Sequence, residues 1–265
     1  MKVQGKNIVV TGGGNGVGRE LVFQLLNKGA TVFAADINEE ALKETVRLTG
    51  NNKRLFTYVV DISNNDRVKA FAEKVIEDHG KVDGIINNAG IIQPFIYLKE
   101  LEMSRIERVM NINFYGTLYM VKAFLPYLLK RPEAHIVNVS SMGGFLPVPG
   151  QSIYGASKAA VKLLSEGLSS ELKATNVKVS VVIPGGIATD IKKNSNIAHN
   201  VSKDSTKSNL VLTPVKAAEL IIKSMEKKKL RAYIGKDCKA MNALYKLNSF
   251  FAMSMINKVM SASEH

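Results

Sequence analysis

The chain has 265 residues, 46% hydrophobic and 22% charged, which excludes a disordered or fibrous protein and is enough to bury a substantial core. Its net charge of +13 is uneven, +5 over residues 1–189 and +8 over residues 190–265; such a surface either attracts anionic partners or is a solvated face that aids solubility, and no nucleic-acid-binding module is recognisable. The only cysteine is Cys238, so an intramolecular disulfide is excluded and a reducing compartment suits the chain.

The first strand-like run starts at Asn7, leaving no room for a signal peptide, and no apolar stretch approaches a bilayer span. A cytoplasmic location is therefore expected. Short β-branched runs predict strands over 7–11, 31–35, 55–60, 83–87, 135–140, 177–183 and 231–234. Segments of helical period between them predict helices over 17–28, 39–48, 65–79, 101–129, 152–174 and 214–227. This alternation predicts one α/β domain over 1–265, a doubly wound Rossmann-like fold with a parallel sheet of about seven strands and helices on both faces.

After the first strand comes TGGGNGVG, where Gly12, Gly16 and Gly18 lead into a helix. Glycines permit a tight turn and close approach to a pyrophosphate, and the helix N-terminus offers unpaired N–H groups at the positive dipole end. Asp36 closes the second strand, twenty positions after Gly16. Its carboxylate suits the adenosine ribose hydroxyls and repels a 2′-phosphate, which favours NAD over NADP. Its other reading is a cap for the helix after Asn38.

Tyr154 and Lys158 in YGASK lie at i and i+4 of a predicted helix and share a face. A nearby cation favours ionisation of a phenol and brings its pKa toward the working range of an acid–base catalyst. Taken alone, Y-x-x-x-K is usually an ordinary helix-surface pair.

Residues 187–212 break the rhythm with the polar, cationic run KKNSNIAHNVSKDSTKSN. They form either a substrate lid or a disordered insert. Residues 236–265 form an apolar and basic tail. From Met241 to Met260 apolar side chains cover most of a helical circumference, with a polar stripe at Asn242, Lys246, Ser249 and Asn257. That face requires cover from the same subunit, from a neighbour, or from a membrane surface in peripheral contact.

TG-x-x-x-G-x-G, then Asp36, Asp61, NNAG at 87–90, Asn113 in NFYG, Ser141 in VNVSS, YGASK and PGGIAT at 184–189 follow one another in an order that resembles the short-chain dehydrogenase/reductase family over residues 5 to about 190. The resemblance implies an NAD(P)-dependent oxidoreductase acting on CH–OH groups. It implies a dinucleotide held by Gly12, Asn15, Gly16, Val17, Gly18 and Asp36, with Asp61 and Ile62 at the adenine and Asn88, Ala89 and Gly90 along a strand end. Ile187 and Thr189 would lie near the nicotinamide carboxamide, and Pro184 and Gly185 would also contact the cofactor. Asn15 stands where NADP-preferring relatives often carry a basic residue. The resemblance makes Tyr154 the general acid and base and Ser141 the hydrogen-bond partner of the reacting oxygen. Lys158 then holds ribose hydroxyls and lowers the tyrosine pKa, and Asn113 anchors a water. Ser140 is the rival within the doublet, and the family spacing of thirteen residues before the tyrosine selects Ser141. Plainer roles exist: Asp61 as a cap near Ser63, NNAG and PGG as strand ends, Ser141 as a polar strand end, and Asn113 bonding backbone within its own helix. No metal site is implied.

The substrate pocket is expected from residues 91–95, 143–153 and the insert. Ile91, Ile92, Phe95, Phe145, Leu146 and Val148 suit a hydrophobic carbonyl or secondary alcohol, such as a steroid, a medium-chain ketone or an acyl chain, where they do not join the core. Competing readings are a 3-oxoacyl-carrier-protein reductase, a non-catalytic dinucleotide sensor and a tail-anchored peripheral membrane protein. The family pattern also implies a homodimer or homotetramer through the 101–129 and 152–174 helices.

Overall fold

The computed structural model describes residues 1–188, Ser195 and residues 211–261, with side chains described as far as Lys258. Seven strands, β1 (Asn7–Thr11), β2 (Thr31–Asp36), β3 (Leu55–Val59), β4 (Gly84–Asn87), β5 (Ala134–Val139), β6 (Val177–Pro184) and β7 (Arg231–Ile234), form one sheet. All its pairings are parallel, in the order β3-β2-β1-β4-β5-β6-β7. Every strand falls within a residue or two of its predicted span, because a parallel sheet covered on both faces requires continuous apolar runs that stand out from amphipathic helices.

Alternation along the strands divides the core. Ile8 and Val10 of β1 face one layer, with Leu21, Leu25, Ile221 and Met225. Val9 faces the other, with Phe71, Val75, Met120 and Phe124. The first layer is covered by α1 (Gly16–Asn27) and α7 (Pro214–Glu226), the second by α3 (Asn65–His79) and α5 (Gly116–Leu128). The strand order reverses between β1 and β4, the switch point at which an open α/β sheet leaves a crevice beyond its carboxyl ends.

The predicted helix over 101–129 is three pieces: α4 (Met103–Met110), a π-helical turn over Asn111–Tyr115, and α5. Asn113 lies in the wide turn, fully buried, and bonds outside its own helix. The tail is also divided. Asn248 leaves helical geometry at φ −152° and separates α8 (Lys236–Leu247) from α9 (Ser249–Ser261), its Oδ1 accepting from Phe251 N at 2.9 Å. Met241, Ala252, Leu244, Tyr245 and Ile256 turn inward onto Leu146 and Phe145, so these two residues join a small satellite core with the tail.

The 187–212 insert is pinched at its base. Ile187 and Leu212 form a parallel bridge, and Ala188 N donates to Leu212 O at 2.9 Å. Most of the insert, with Asp190 and the expected cofactor residue Thr189, lies outside the described residues. Ser195 is buried, and its Oγ accepts from Ile92 N at 3.0 Å. Among the described residues no helix is long and apolar enough to cross a membrane.

Candidate active site

The turn between β1 and α1 is shaped by contacts a side chain would break. Gly12 has φ +71°, and a Cβ there would lie 3.1 Å from Ala89 Cα; a Cβ at Gly18 would run into the Gly12 carbonyl. Thr11 ties this turn to NNAG, because its Oγ1 accepts from Asn88 N at 3.0 Å and Ala89 N at 3.1 Å, while Asn88 Nδ2 donates to Thr11 O at 3.1 Å. These bonds give NNAG a role beyond ending β4.

The helix N-termini differ in a telling way. α2 (Glu39–Leu48) is capped by Asn38 and α3 by Asn64, and both carry acidic residues in the first turn. At α1, Asn15 makes no side-chain cap and the first turn holds no acid. Its amide donors and positive end are left for another anion. The Asn15 Oδ1 instead accepts from Arg19 at 3.4 Å, and Arg19 Nε donates to Thr45 Oγ1 at 3.0 Å, holding α1 against α2.

Neither aspartate caps a helix. Asp36 Oδ2 accepts from Gly14 N at 2.9 Å and Oδ1 from Asn38 N at 3.0 Å. The carboxylate therefore sits over the glycine turn. Asp61 Oδ1 accepts from Ser63 N at 2.9 Å and Ser63 Oγ at 2.6 Å, with Ile62 nearly buried beside it. At the other end of the crevice, Asp237 Oδ2 accepts from Gly186 N at 2.7 Å, and a Cβ at Gly185 or Gly235 would meet that carboxylate. Pro184 ends β6, and Ile187 packs on the core at the base of the insert.

Ser141, Tyr154, Lys158 and Asn113 converge beyond the ends of β4 and β5. α6 (Ser152–Glu171) carries Tyr154 and Lys158 one turn apart. The Tyr154 phenol lies beside Ser141: a Cβ at Gly143 would lie 3.4 Å from Tyr154 Cε1 and 3.6 Å from Ser141 Oγ, which accepts from Gly143 N at 3.1 Å. Ser140 points the other way, is buried, and donates to Lys158 O at 2.7 Å. The doublet is thus divided: Ser141 faces the phenol and Ser140 ties β5 to α6. Glycine is required beside them, because a Cβ at Gly144 would lie 2.9 Å from the Lys158 carbonyl carbon.

Lys158 is buried and its Nζ donates to Val139 O at 3.0 Å. Loss of water alone draws its pKa down from 10.5 to about 8. The Tyr154 pKa is displaced upward, opposite to the expected lowering. Removal of the phenol from water raises it, and the neighbouring Ser141 hydroxyl offsets this only in part. With Nζ turned to Val139, Lys158 does not act on the phenol in this state. Gly90 separates lysine from asparagine, since a Cβ there would lie 3.0 Å from Lys158 Nζ and 3.1 Å from Asn113 Oδ1. Asn113 Nδ2 donates to Ile91 O and Ser157 Oγ, both at 2.9 Å, and its Oδ1 accepts from Ile91 N at 2.9 Å.

Sequence reasoning missed Gln93 and Gln151. Buried Gln93 accepts at Oε1 from Ile153 N at 2.8 Å and Tyr154 N at 3.1 Å, supplying the cap that α6 lacks locally. Its Nε2 donates to Gly150 O at 2.8 Å, and Gln151 Nε2 donates back to Gln93 O at 2.9 Å. No local pattern marks a cap supplied from sixty residues away. Ile92 is almost buried under Ser195, Phe95 is exposed, and Val148 is half-buried.

The family model for short chain dehydrogenases matches residues 6–200. The chain is 34% identical over 252 residues to an oxidoreductase of Mycobacterium tuberculosis named SadH, covering 92% of this chain and 91% of that protein. Among solved structures, a Burkholderia phymatum short-chain dehydrogenase/reductase in complex with NAD aligns at TM-score 0.80 and 27% identity, covering 88% of this chain and 90% of the other. A Burkholderia cenocepacia short-chain dehydrogenase in complex with NADP aligns at TM-score 0.81 and 26% identity, covering 97% and 99%. The chain belongs to the short-chain dehydrogenase/reductase family. It is an oxidoreductase of CH–OH groups that uses a nicotinamide dinucleotide.

Proposed function

We propose that this enzyme interconverts a hydrophobic secondary alcohol and its ketone, with NAD(H) preferred to NADP(H). The observation that carries the reading is the Tyr154 phenol beside Ser141, with the buried Lys158 ammonium one helical turn away. Burial keeps the phenol protonated, which is the form that donates a proton to a carbonyl oxygen during reduction. Ser141 Oγ would share that oxygen and fix its position. In the oxidative direction Tyr154 accepts the alcohol proton, and the Lys158 cation is the group that would stabilise the resulting phenolate once its Nζ turns from Val139.

The dinucleotide fits the residues present. The uncapped, acid-free N-terminus of α1 suits its pyrophosphate, with Gly12, Asn15, Gly16, Val17 and Gly18 around it. Asp36 would take the adenosine ribose hydroxyls, Asp61 and Ile62 would border the adenine, Asn88 to Gly90 would line the strand end, and Pro184 to Ile187 would lie toward the nicotinamide. When bound, the cofactor supplies or takes up the hydride. The NAD preference rests on the Asp36 carboxylate over the glycine turn, and no cation at position 15 is available to meet a 2′-phosphate.

The test is a screen of apolar ketones and secondary alcohols with both cofactor pairs, read at the nicotinamide absorbance band. Turnover with NAD(H) that Tyr154→Phe abolishes while cofactor affinity is kept supports the reading. Better turnover with NADPH overturns the cofactor preference, and an active Tyr154→Phe variant overturns the catalytic assignment.

A further inference from the structure

The elbow between α8 and α9 presents large apolar side chains to solvent on the outside of the fold. Leu247 is 86% exposed, Phe250 81% and Phe251 58%, and Met255 continues the row one turn beyond Phe251. The hairpin has a second apolar face already in use, where Met241, Leu244, Ala252 and Ile256 pack on Leu146 and Phe145. Among the described residues the outward side chains are left exposed. Single exposed apolar residues are commonplace, but a contiguous group at one corner marks an interaction surface.

Charge selects the occupant. No Asp or Glu occurs between Asp237 and Glu264, whereas Lys239, Lys246 and Lys258 lie in that stretch. On α8, Lys239, Asn242 and Lys246 follow helical spacing toward the elbow. They continue a groove between α7, β7 and α8 that is lined by Lys223, Lys227, Lys229 and Lys239. Arg231 of the same groove is held by Glu166 at 2.7 Å, whereas the four lysines engage no carboxylate among the described residues. A twofold contact centred on this groove would bring these lysines against their own equivalents with no acid to pair. An anionic surface has the opposite requirement.

We propose that the α8–α9 elbow docks on an anionic lipid bilayer, with Leu247, Phe250, Phe251 and Met255 in the interfacial layer and the neighbouring lysines at the headgroups. Docking would hold residues 142–146, which lead from Ser141 to the satellite core beneath the elbow, near the membrane surface. The proposal stands apart from the catalytic reading, because binding requires no turnover.

The chain contains no tryptophan, so Phe250→Trp places a single fluorescent reporter at the elbow. Its emission is expected to shift to the blue with phosphatidylglycerol/phosphatidylcholine vesicles and to stay unchanged with phosphatidylcholine alone. Cosedimentation should show binding that weakens as salt is raised. It should fall about tenfold or more in Leu247→Ser/Phe250→Ser/Phe251→Ser and in Lys223→Gln/Lys227→Gln/Lys229→Gln/Lys239→Gln, exposed substitutions that leave the melting temperature near wild type. No binding to anionic vesicles at low salt overturns the proposal. So does binding that the serine variant retains in full, since net charge alone would then explain it. Light scattering adds a third decisive outcome: a serine variant that falls to a smaller oligomer while still binding vesicles would assign the face to a second copy.

Discussion

Lys158 carries a cost that the rest of the fold must offset. Its pKa in the folded chain, about 8, lies below the unfolded value of 10.5. Between those values the unfolded chain holds the proton more tightly, so this residue's contribution to stability rises with pH across the window, and the penalty is fully present below pH 8. At about 1.4 kcal/mol per unit the penalty is about 3 kcal/mol at neutral pH. Lys158→Met should remove it while leaving Val139 O without its donor, a loss of about 1–2 kcal/mol. The expected result in urea unfolding at pH 7 is a variant more stable by about 1–2 kcal/mol, with the advantage gone by pH 10.5 and turnover lost. The serine doublet separates chemistry from support in the same way. Ser141→Ala should lower kcat by a factor of about 100 or more with little change in melting temperature. Ser140→Ala removes a buried bond to the Lys158 carbonyl, and should cost about 1–3 kcal/mol of stability with a much smaller effect on kcat.

Among the elements, α6 depends on a residue outside it. Among the described residues Gln93 is the side chain that accepts from the Ile153 and Tyr154 amides. Gln93→Leu should therefore destabilise the fold by about 1–3 kcal/mol and lower kcat through misplacement of Tyr154. Gln93→Glu keeps the acceptor at a positive helix end but loses the donor to Gly150 O, so relative to Gln93→Leu it should recover part of the kcat, as denaturant titration and steady-state kinetics would show. This dependence also shows where reading the sequence stops. Strand and helix spans were legible because apolar periodicity is local, and so were the glycine turn and the Tyr154–Lys158 pair, whose residues lie a few positions apart. The π turn at Asn113 was not, since Asn113 bonds Ile91 across the crevice, a partner twenty-two positions away that no local pattern marks. The division of the tail left only a faint signal, the capping pair Asn248 and Ser249 inside an apolar run. The pKa of Tyr154 was read in the wrong direction because spacing puts Lys158 on the same face, whereas the direction of its Nζ is set by Val139 O. Cofactor choice belongs to this scale as well, since Asp36 at the end of β2 already accepts the Gly14 amide. Asp36→Ala with Asn15→Arg should shift the ratio of kcat/KM toward NADP(H) by about tenfold or more, by removing a like charge and adding a cation.

At the scale of the whole molecule, the outward face of α6 lacks the charges a solvated helix carries. Ser152, Ala156, Ala159, Leu163, Gly167 and Ser170 form its exposed row at helical spacing, and Leu163 is 70% exposed. A row of small uncharged residues around one large apolar side chain permits close approach of another helix, which a solvated face has no need of. The +13 charge opposes association in general. A contact must therefore form where the surface is neutral, and this row of α6 is such a place, unlike the lysine-bordered elbow of the tail. The expected assembly is a homodimer or homotetramer in which α6 meets its equivalent across a twofold axis. Leu163→Glu should place two carboxylates opposite each other at that axis and reduce the mass measured by light scattering, with melting temperature and secondary structure retained. An unchanged mass would show that the subunits meet elsewhere, with the face formed by α4 and α5 the next to be tested by the same substitution at exposed Met103.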